Sequence, residues 1–376
     1  MSRPRHVLII VQRSNGDVFL SSPLIEAIHS FYADCRIDLL VNDDTLGIAG
    51  ILPHVRTIHS YSYGWKKLPC FARIRAELGL LSKIRGRYDL AINLTASDRS
   101  VLYALLAGKV AISPVDGDRR KSWWKRWLLD YSYPAEADRH VVRQNLAALD
   151  FLEIPSDPVR VSVQSTPAAL DAMREKLSRL GISKFFIFHP TAQYDYKVYP
   201  EELRKELLRK LDSLGIPLVV TGAASEVDRR IKSTLPVLPN LFDFIGETTL
   251  AEYVALSELS SAYIGMDTLN MHIAAAQNKR IFAVFGPTLP VRWSPWSNRS
   301  GICATGNQAV QTYDDITLFQ AEMPCVACGM AGCDDSHGKS ECLYRIDPDV
   351  IFEQIRSFAS GLDAESSPVA QRTIQP

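Results

Sequence analysis

Short apolar runs alternate with longer stretches in which apolar residues recur every three or four positions, through both halves of the chain. Short runs bounded by turn residues predict strands, and the three-to-four spacing predicts helices buried along one face. In the first half the predicted strands are 6–11, 37–41, 57–59, 89–93 and 110–112, with helices over 22–32, 70–85 and 99–107. In the second half, strands over 185–189, 218–221, 241–244, 262–265 and 281–285 alternate with helices over 200–214, 225–233, 250–259 and 270–278. This order implies parallel sheets joined by right-handed crossovers, hence an α/β protein of two Rossmann-like, doubly wound domains. Prolines and small polar residues cluster from Ile154 to Pro167 and mark the boundary, giving an N-terminal domain over 1–160 and a second over 161–350. A helix over 347–358 is expected to end the folded part; 351–376 then holds the helix end and a tail rich in Ser, Gln, Pro and Ala, expected to be disordered. Two such domains facing a central cleft leave a natural place for a ligand.

Composition narrows the ligand. The chain has 376 residues, with 42 Lys+Arg against 42 Asp+Glu. The formal charge is therefore zero, no global field argues for nucleic acid, and any anion site must be local. No apolar run approaches the roughly 20 residues needed to span a bilayer. The segment Met1–His6 leads directly into the first strand without the apolar core of a signal peptide, so a cytoplasmic location is expected. Four of the seven cysteines crowd near the carboxyl end, unlike a secreted disulfide framework.

The residues that can carry chemistry sit where strands end. After the strand that closes at Gly265, the turn Asp267-Thr268 opens a small-residue helix containing Leu269 and His272, and the next strand closes in Gly286-Pro287-Thr288. Unpaired amides and the helix dipole make such a helix start suitable for phosphate, although Asp267 and Thr268 also suit a plain helix cap. Gly16-Asp17 follows the first strand, where a carboxylate at the cleft mouth serves either as a general base toward a hydroxyl or as a cap. Thr191 and Lys197 follow the strand ending at His189 and suit a phosphate oxygen and a pyrophosphate charge; an isolated lysine is otherwise simply solvated. Glu226, after Thr221-Gly222, suits the two hydroxyls of a ribose or merely favours its helix start. Neither the Gly-x-Gly-x-x-Gly fingerprint nor a P-loop is present at the first strand, which weighs against dehydrogenases and P-loop NTPases.

In this order, Gly16-Asp17-Val through Pro23-Leu, His189-Pro190 to Lys197 and Tyr199-Pro200, Thr221-Gly222 to Glu226, Gly246 to Leu250, Asp267-Thr268 to Ala276, and Phe285 to Thr288 resemble glycosyltransferase family 9, the lipopolysaccharide heptosyltransferases. The resemblance spans about residues 5–350 and implies the two-domain GT-B fold, with acceptor on the first domain and nucleotide sugar on the second. By position it makes Asp17 the base. Thr191, Lys197, Thr268 and the Leu269 amide hold the donor diphosphate, Glu226 meets the ribose and the Thr248 backbone the base, and Asp267 meets the sugar or Lys197, with His272 in the same donor motif. It implies an inverting transfer, plausibly of heptose from ADP-heptose to a lipopolysaccharide core or related glycan, with no metal and no cofactor besides the nucleotide-sugar substrate. Where family members usually have Asp-Ser/Thr-Gly, this chain has Asp267-Thr268-Leu269. That departure motivates two alternatives: another nucleotide sugar used in O-antigen-type assembly, or a non-catalytic nucleotide-sugar-binding homologue.

Two segments stand outside this pattern. Asp118 to Leu129 interleaves Arg119, Arg120, Lys121, Lys125 and Arg126 with Trp123, Trp124 and Trp127. It suits an anionic glycolipid or glycan acceptor at the inner-membrane face, with Arg119, Arg120 and Lys121 as acceptor residues and a peripheral membrane association; it equally suits a solvated helix with its tryptophans packed inward. Cys325, Cys328, Cys333 and Cys342 have spacing compatible with tetrahedral zinc or are reduced, partly buried thiols.

Overall fold

The computed structural model describes residues 3–366. The first half folds into a six-stranded sheet of order β3-β2-β1-β4-β5-β6, comprising His6–Val11 (β1), Arg36–Asn42 (β2), Val55–Tyr61 (β3), Tyr88–Asn93 (β4), Gly108–Val115 (β5) and Tyr131–Pro134 (β6), all parallel. The second half repeats the arrangement with Phe186–His189 (β7), Leu218–Val220 (β8), Leu241–Asp243 (β9), Ala262–Met266 (β10), Arg280–Val284 (β11), Val310–Tyr313 (β12) and Ile316–Phe319 (β13), in the order β12-β13-β11-β10-β7-β8-β9. Only β12 runs antiparallel to its neighbour. Each sheet thus has a switch point, between β1 and β4 and between β7 and β10, where the strand order reverses and a crevice opens at the carboxyl ends.

The apolar runs explain the strands. Val7, Leu8, Ile9 and Ile10 are fully buried because helices cover both faces of the sheet. On one face Val101, Ala104 and Ala107 of helix Asp98–Ala107 pack with Leu80 and Ile84 of helix Cys70–Ile84. On the other, Leu24, Ile25 and Ile28 of helix Ser22–Phe31 join a cluster that continues into the second sheet through Phe185, Ile187 and Phe285. The last helix, Pro348–Ser366, runs beyond the expected 347–358, because Ile351, Ile355 and Ala359 continue one buried stripe and Leu362 extends it. It corrects the expectation that the tail begins there; the rest of that tail lies outside the described residues.

Register places the second switch point in atomic terms. Gly265 of β10 lies opposite His189 of β7, so Asp267 and Thr191, each two residues on, leave the sheet side by side. Only glycine fits at 265, since a Cβ there would lie 2.5 Å from the His189 carbonyl oxygen and 2.8 Å from the Tyr263 hydroxyl.

Candidate active site

Helix Leu269–Ala276 begins at this switch point. Thr268 takes the N-cap position with extended backbone (φ −142°, ψ 172°), yet its side chain makes no capping bond; its hydroxyl lies 3.4 Å from the Tyr263 hydroxyl. Among the described residues the Leu269 and Asn270 amides find no protein acceptor. A helix start left open in this way presents donors and the positive end of a dipole to an anion. Thr191 is buried beside it, its Oγ1 3.2 Å from His189 Nε2, while His189 Nδ1 lies 2.9 Å from Thr221 Oγ1. Burial pushes the His189 pKa down to about 4, so a neutral ring buttresses Thr191. Lys197 Nζ donates to Asp267 Oδ2 at 3.0 Å. Burial disfavours the ammonium, but the Asp267 charge and hydrogen bond outweigh it and the Lys197 pKa is raised. His272 is buried one turn along, its pKa also pushed down to about 4 by burial, and its Nδ1 has no partner.

The flanking strand ends supply the other donor-side candidates. Helix Glu226–Ser233 is capped by Ser225 and Asp228, whose carboxylate accepts from the Ala223 amide at 3.0 Å and the Ser225 amide at 3.1 Å. Glu226 takes no part in that cap; among the described residues its exposed side chain finds no hydrogen-bond partner. Gly222 allows the close approach, because a Cβ would lie 2.7 Å from Asp228 Oδ1 and 3.0 Å from Thr191 Cγ2. Half-buried Thr248 sits in the loop after β9, which turns at Gly246 (φ +77°) as its amide donates to the Gly222 carbonyl at 3.0 Å.

Asp17 approaches from the first domain. It is buried in helix Asn15–Phe19, where Oδ2 accepts from the Ser14 hydroxyl at 2.6 Å and Ser14 amide at 3.3 Å, and Oδ1 lies 3.4 Å from Arg13 Nε. The helix-capping alternative is thus realised in part, but that helix also packs against helix Leu269–Ala276. Asp17 and helix Leu269–Ala276 are thus carried on adjoining elements of the two domains. The sequence reading missed Arg292, in helix Pro290–Trp293: its guanidinium donates to the Glu136 carbonyl of the first domain at 2.6 Å, burial and the nearby Arg13 lower its pKa, and the charge of Asp17 opposes both. The only available signal was its place just beyond Gly286-Pro287-Thr288.

Arg119, Arg120 and Lys121 lie elsewhere, exposed on the first turn of helix Arg119–Leu128, which follows β5. Lys125 is a correction. It is 2% exposed, donating to the Ala96 carbonyl and pairing with Asp98, both at 2.7 Å, so it is not free to steer an acceptor. The inward-packed alternative holds for Trp124, which packs partly buried against the core, and fails for Trp123 and Trp127, which are 65% and 80% exposed. Cys325, Cys328, Cys333 and Cys342 are free thiols, and among the described residues no group of three or more His, Cys, Asp or Glu is gathered to hold a metal. No helix among the described residues is long and apolar enough to cross a membrane.

Comparison with known proteins agrees with this geometry. The pattern of Glycosyltransferase family 9 (heptosyltransferase) matches residues 78–320. The lipopolysaccharide heptosyltransferase 3 of Escherichia coli is 28% identical over 292 residues, covering 76% of this chain and 85% of that relative. The E. coli ADP-heptose LPS heptosyltransferase II structure superposes with a TM-score of 0.71 at 20% identity, over 95% of this chain and 99% of that one. The E. coli heptosyltransferase WaaC, solved with ADP, gives 0.70 at 17% identity, over 94% and 99%. With two Rossmann-like domains in the GT-B arrangement and the pattern matching most of its length, the chain belongs to glycosyltransferase family 9 and is a glycosyltransferase.

Proposed function

We propose that the protein transfers heptose from ADP-heptose to a lipopolysaccharide core acceptor with inversion at the anomeric carbon. The observation that carries the reading is the packing of the Asp17 helix against helix Leu269–Ala276, whose start is open and follows Asp267, the partner of Lys197. In this reading Thr191, Lys197, Thr268 and the Leu269 amide hold the diphosphate, Glu226 the ribose, and the Thr248 backbone the adenine. Asp267 orients Lys197 and the sugar, and His272 packs behind them. Asp17 takes the proton of the acceptor hydroxyl, whose oxygen attacks the anomeric carbon on the face opposite the diphosphate. The bond from that carbon to the phosphate oxygen breaks, ADP leaves with the electron pair, and Lys197 with the helix-end amides stabilises the charge. Leu269 is compatible with that donor: it is absent from the residues with positive φ, so its position does not demand glycine, and its side chain packs partly buried against the core. Arg119, Arg120 and Lys121 meet the anionic acceptor, in a protein working from the cytoplasm at the inner-membrane surface.

The test is transfer from ADP-heptose to a truncated lipopolysaccharide core, followed by mass and by NMR of the new linkage. Asp17→Asn should lower kcat by about 10²–10⁴-fold, the usual contribution of a general base, with donor affinity within threefold of the parent. Full activity in that variant, or a product of retained configuration, overturns the proposal.

A further inference from the structure

Helices Cys70–Ile84, Asp98–Ala107 and Arg119–Leu128 lie side by side on one face of the first sheet. Their outward surface is unusually apolar. Phe71, Ile74 and Leu78 form a stripe on the first helix, with Phe71 87% exposed; Leu102 and Leu106 face outward on the second, and Trp123 and Trp127 on the third. Spacings of three and four put each set on one side of its helix. A surface recess lined by Leu68, Cys70, Arg73, Ile74, Glu77 and Leu78 opens on the same face.

We infer that this three-helix surface docks the enzyme on a bilayer of anionic phospholipid. The inference rests on the proposed lipopolysaccharide acceptor, which is held at a membrane. Charge selects the occupant. The carboxylates of this face are already engaged: Asp98 and Asp116 on Lys125, Asp118 as the cap of its helix, Glu77 on Arg73 and Tyr103. Lys66, Lys67, Arg75, Arg119, Arg120 and Arg126 have no carboxylate partner among the described residues. Exposed aromatic and aliphatic side chains bordered by unpaired cations match the boundary between headgroups and acyl chains. A second copy of the chain fits poorly, because a two-fold contact would set the same cations against one another. Arg119, Arg120 and Trp123 stand at the helix end nearest the carboxyl edge of the sheet, so docking would bring the cleft toward the lipid surface.

The full chain should be sedimented with phosphatidylcholine vesicles, with and without phosphatidylglycerol, at low and high salt. Binding is expected only with phosphatidylglycerol, weakening as salt screens the cations. The double variant Phe71→Ser/Trp127→Ser should bind about tenfold more weakly, from the apolar area withdrawn. Quenching of tryptophan fluorescence by brominated lipid should appear in the parent and fall in the variant. Heptose transfer to a detergent-dispersed acceptor should be the same in both proteins, which also shows that the variant is folded. Equal vesicle binding by both proteins, no binding by the parent, or loss of self-association in the variant instead of loss of lipid binding overturns the docking surface. Absence of transfer in both, with vesicle binding intact, would overturn the donor or acceptor assignment alone.

Discussion

Lys197 has two jobs that one substitution confounds. In the proposed function it neutralises the donor diphosphate, and in the structure it is the partner of the buried Asp267 carboxylate. On the proposed function, Lys197→Met would remove a charge-assisted hydrogen bond to phosphate, costing about 1.5–3 kcal/mol, or about ten- to a hundredfold in ADP affinity. It also strands Asp267, and breaking a buried pair destabilises by about 3–5 kcal/mol, less here because the lysine is partly open to solvent. Lys197→Met/Asp267→Asn separates the two effects. The double variant should regain most of the stability in urea unfolding yet keep the weak ADP binding measured by calorimetry. Recovery of ADP affinity would mean that the lysine only secures Asp267.

At the level of elements, what the sequence revealed followed continuous burial. The strands at 6–11, 262–265 and 281–285 were legible because neighbours on both sides and helices on both faces leave their residues no exposed position. Strand β6 was not, since it is an edge strand of Tyr, Ser and Pro without an apolar run. Helix Pro167–Arg179, directly after the boundary, went unread, with only Ala169, Met173 and Leu177 buried along it. Strand ends carrying Thr191, Lys197 and Asp267 were visible as motifs, whereas Arg292 comes within reach of the charge of Asp17 only through tertiary structure. Helix Arg119–Leu128 misled for a related reason. Tryptophans and cations occupy several of its sides, and its inner side is decided by Lys125 reaching Ala96 and Asp98 across the sheet edge. Lys125→Met should therefore cost about 1.5–3 kcal/mol in urea unfolding, the loss of hydrogen bonds to a charged group, while leaving the KM for a short acceptor unchanged. A raised KM with unaltered stability would return Lys125 to the acceptor site.

Across the whole molecule, the two halves meet through a small set of specific bonds around residues 290–301. Arg292 donates to the Glu136 carbonyl at 2.6 Å, and Arg143 donates to the Gly301 carbonyl at 3.5 Å. His140 Nε2 lies 2.9 Å from the Ser294 carbonyl oxygen. Because His140 Nδ1 accepts the Val142 amide that caps the following helix, the proton belongs on Nε2, and a second proton would remove the cap. Burial holds the His140 pKa down at about 4, as it does for His189 and His272 beside the second switch point. An unfolded histidine titrates near 6.5, so below that pH the unfolded chain binds protons that the native state refuses. Stability is then complete above about pH 6.5 and falls progressively as pH drops toward about 4, by up to about 1.4 kcal/mol per pH unit for each histidine. His140→Asn keeps a side chain able to cap the helix but cannot titrate. Urea midpoints taken from pH 7.5 to 5 should fall steeply in the parent and less steeply in this variant, even if the variant starts lower for want of the Ser294 bond. Parallel profiles would mean that acid acts elsewhere and that the junction between the halves is indifferent to protonation.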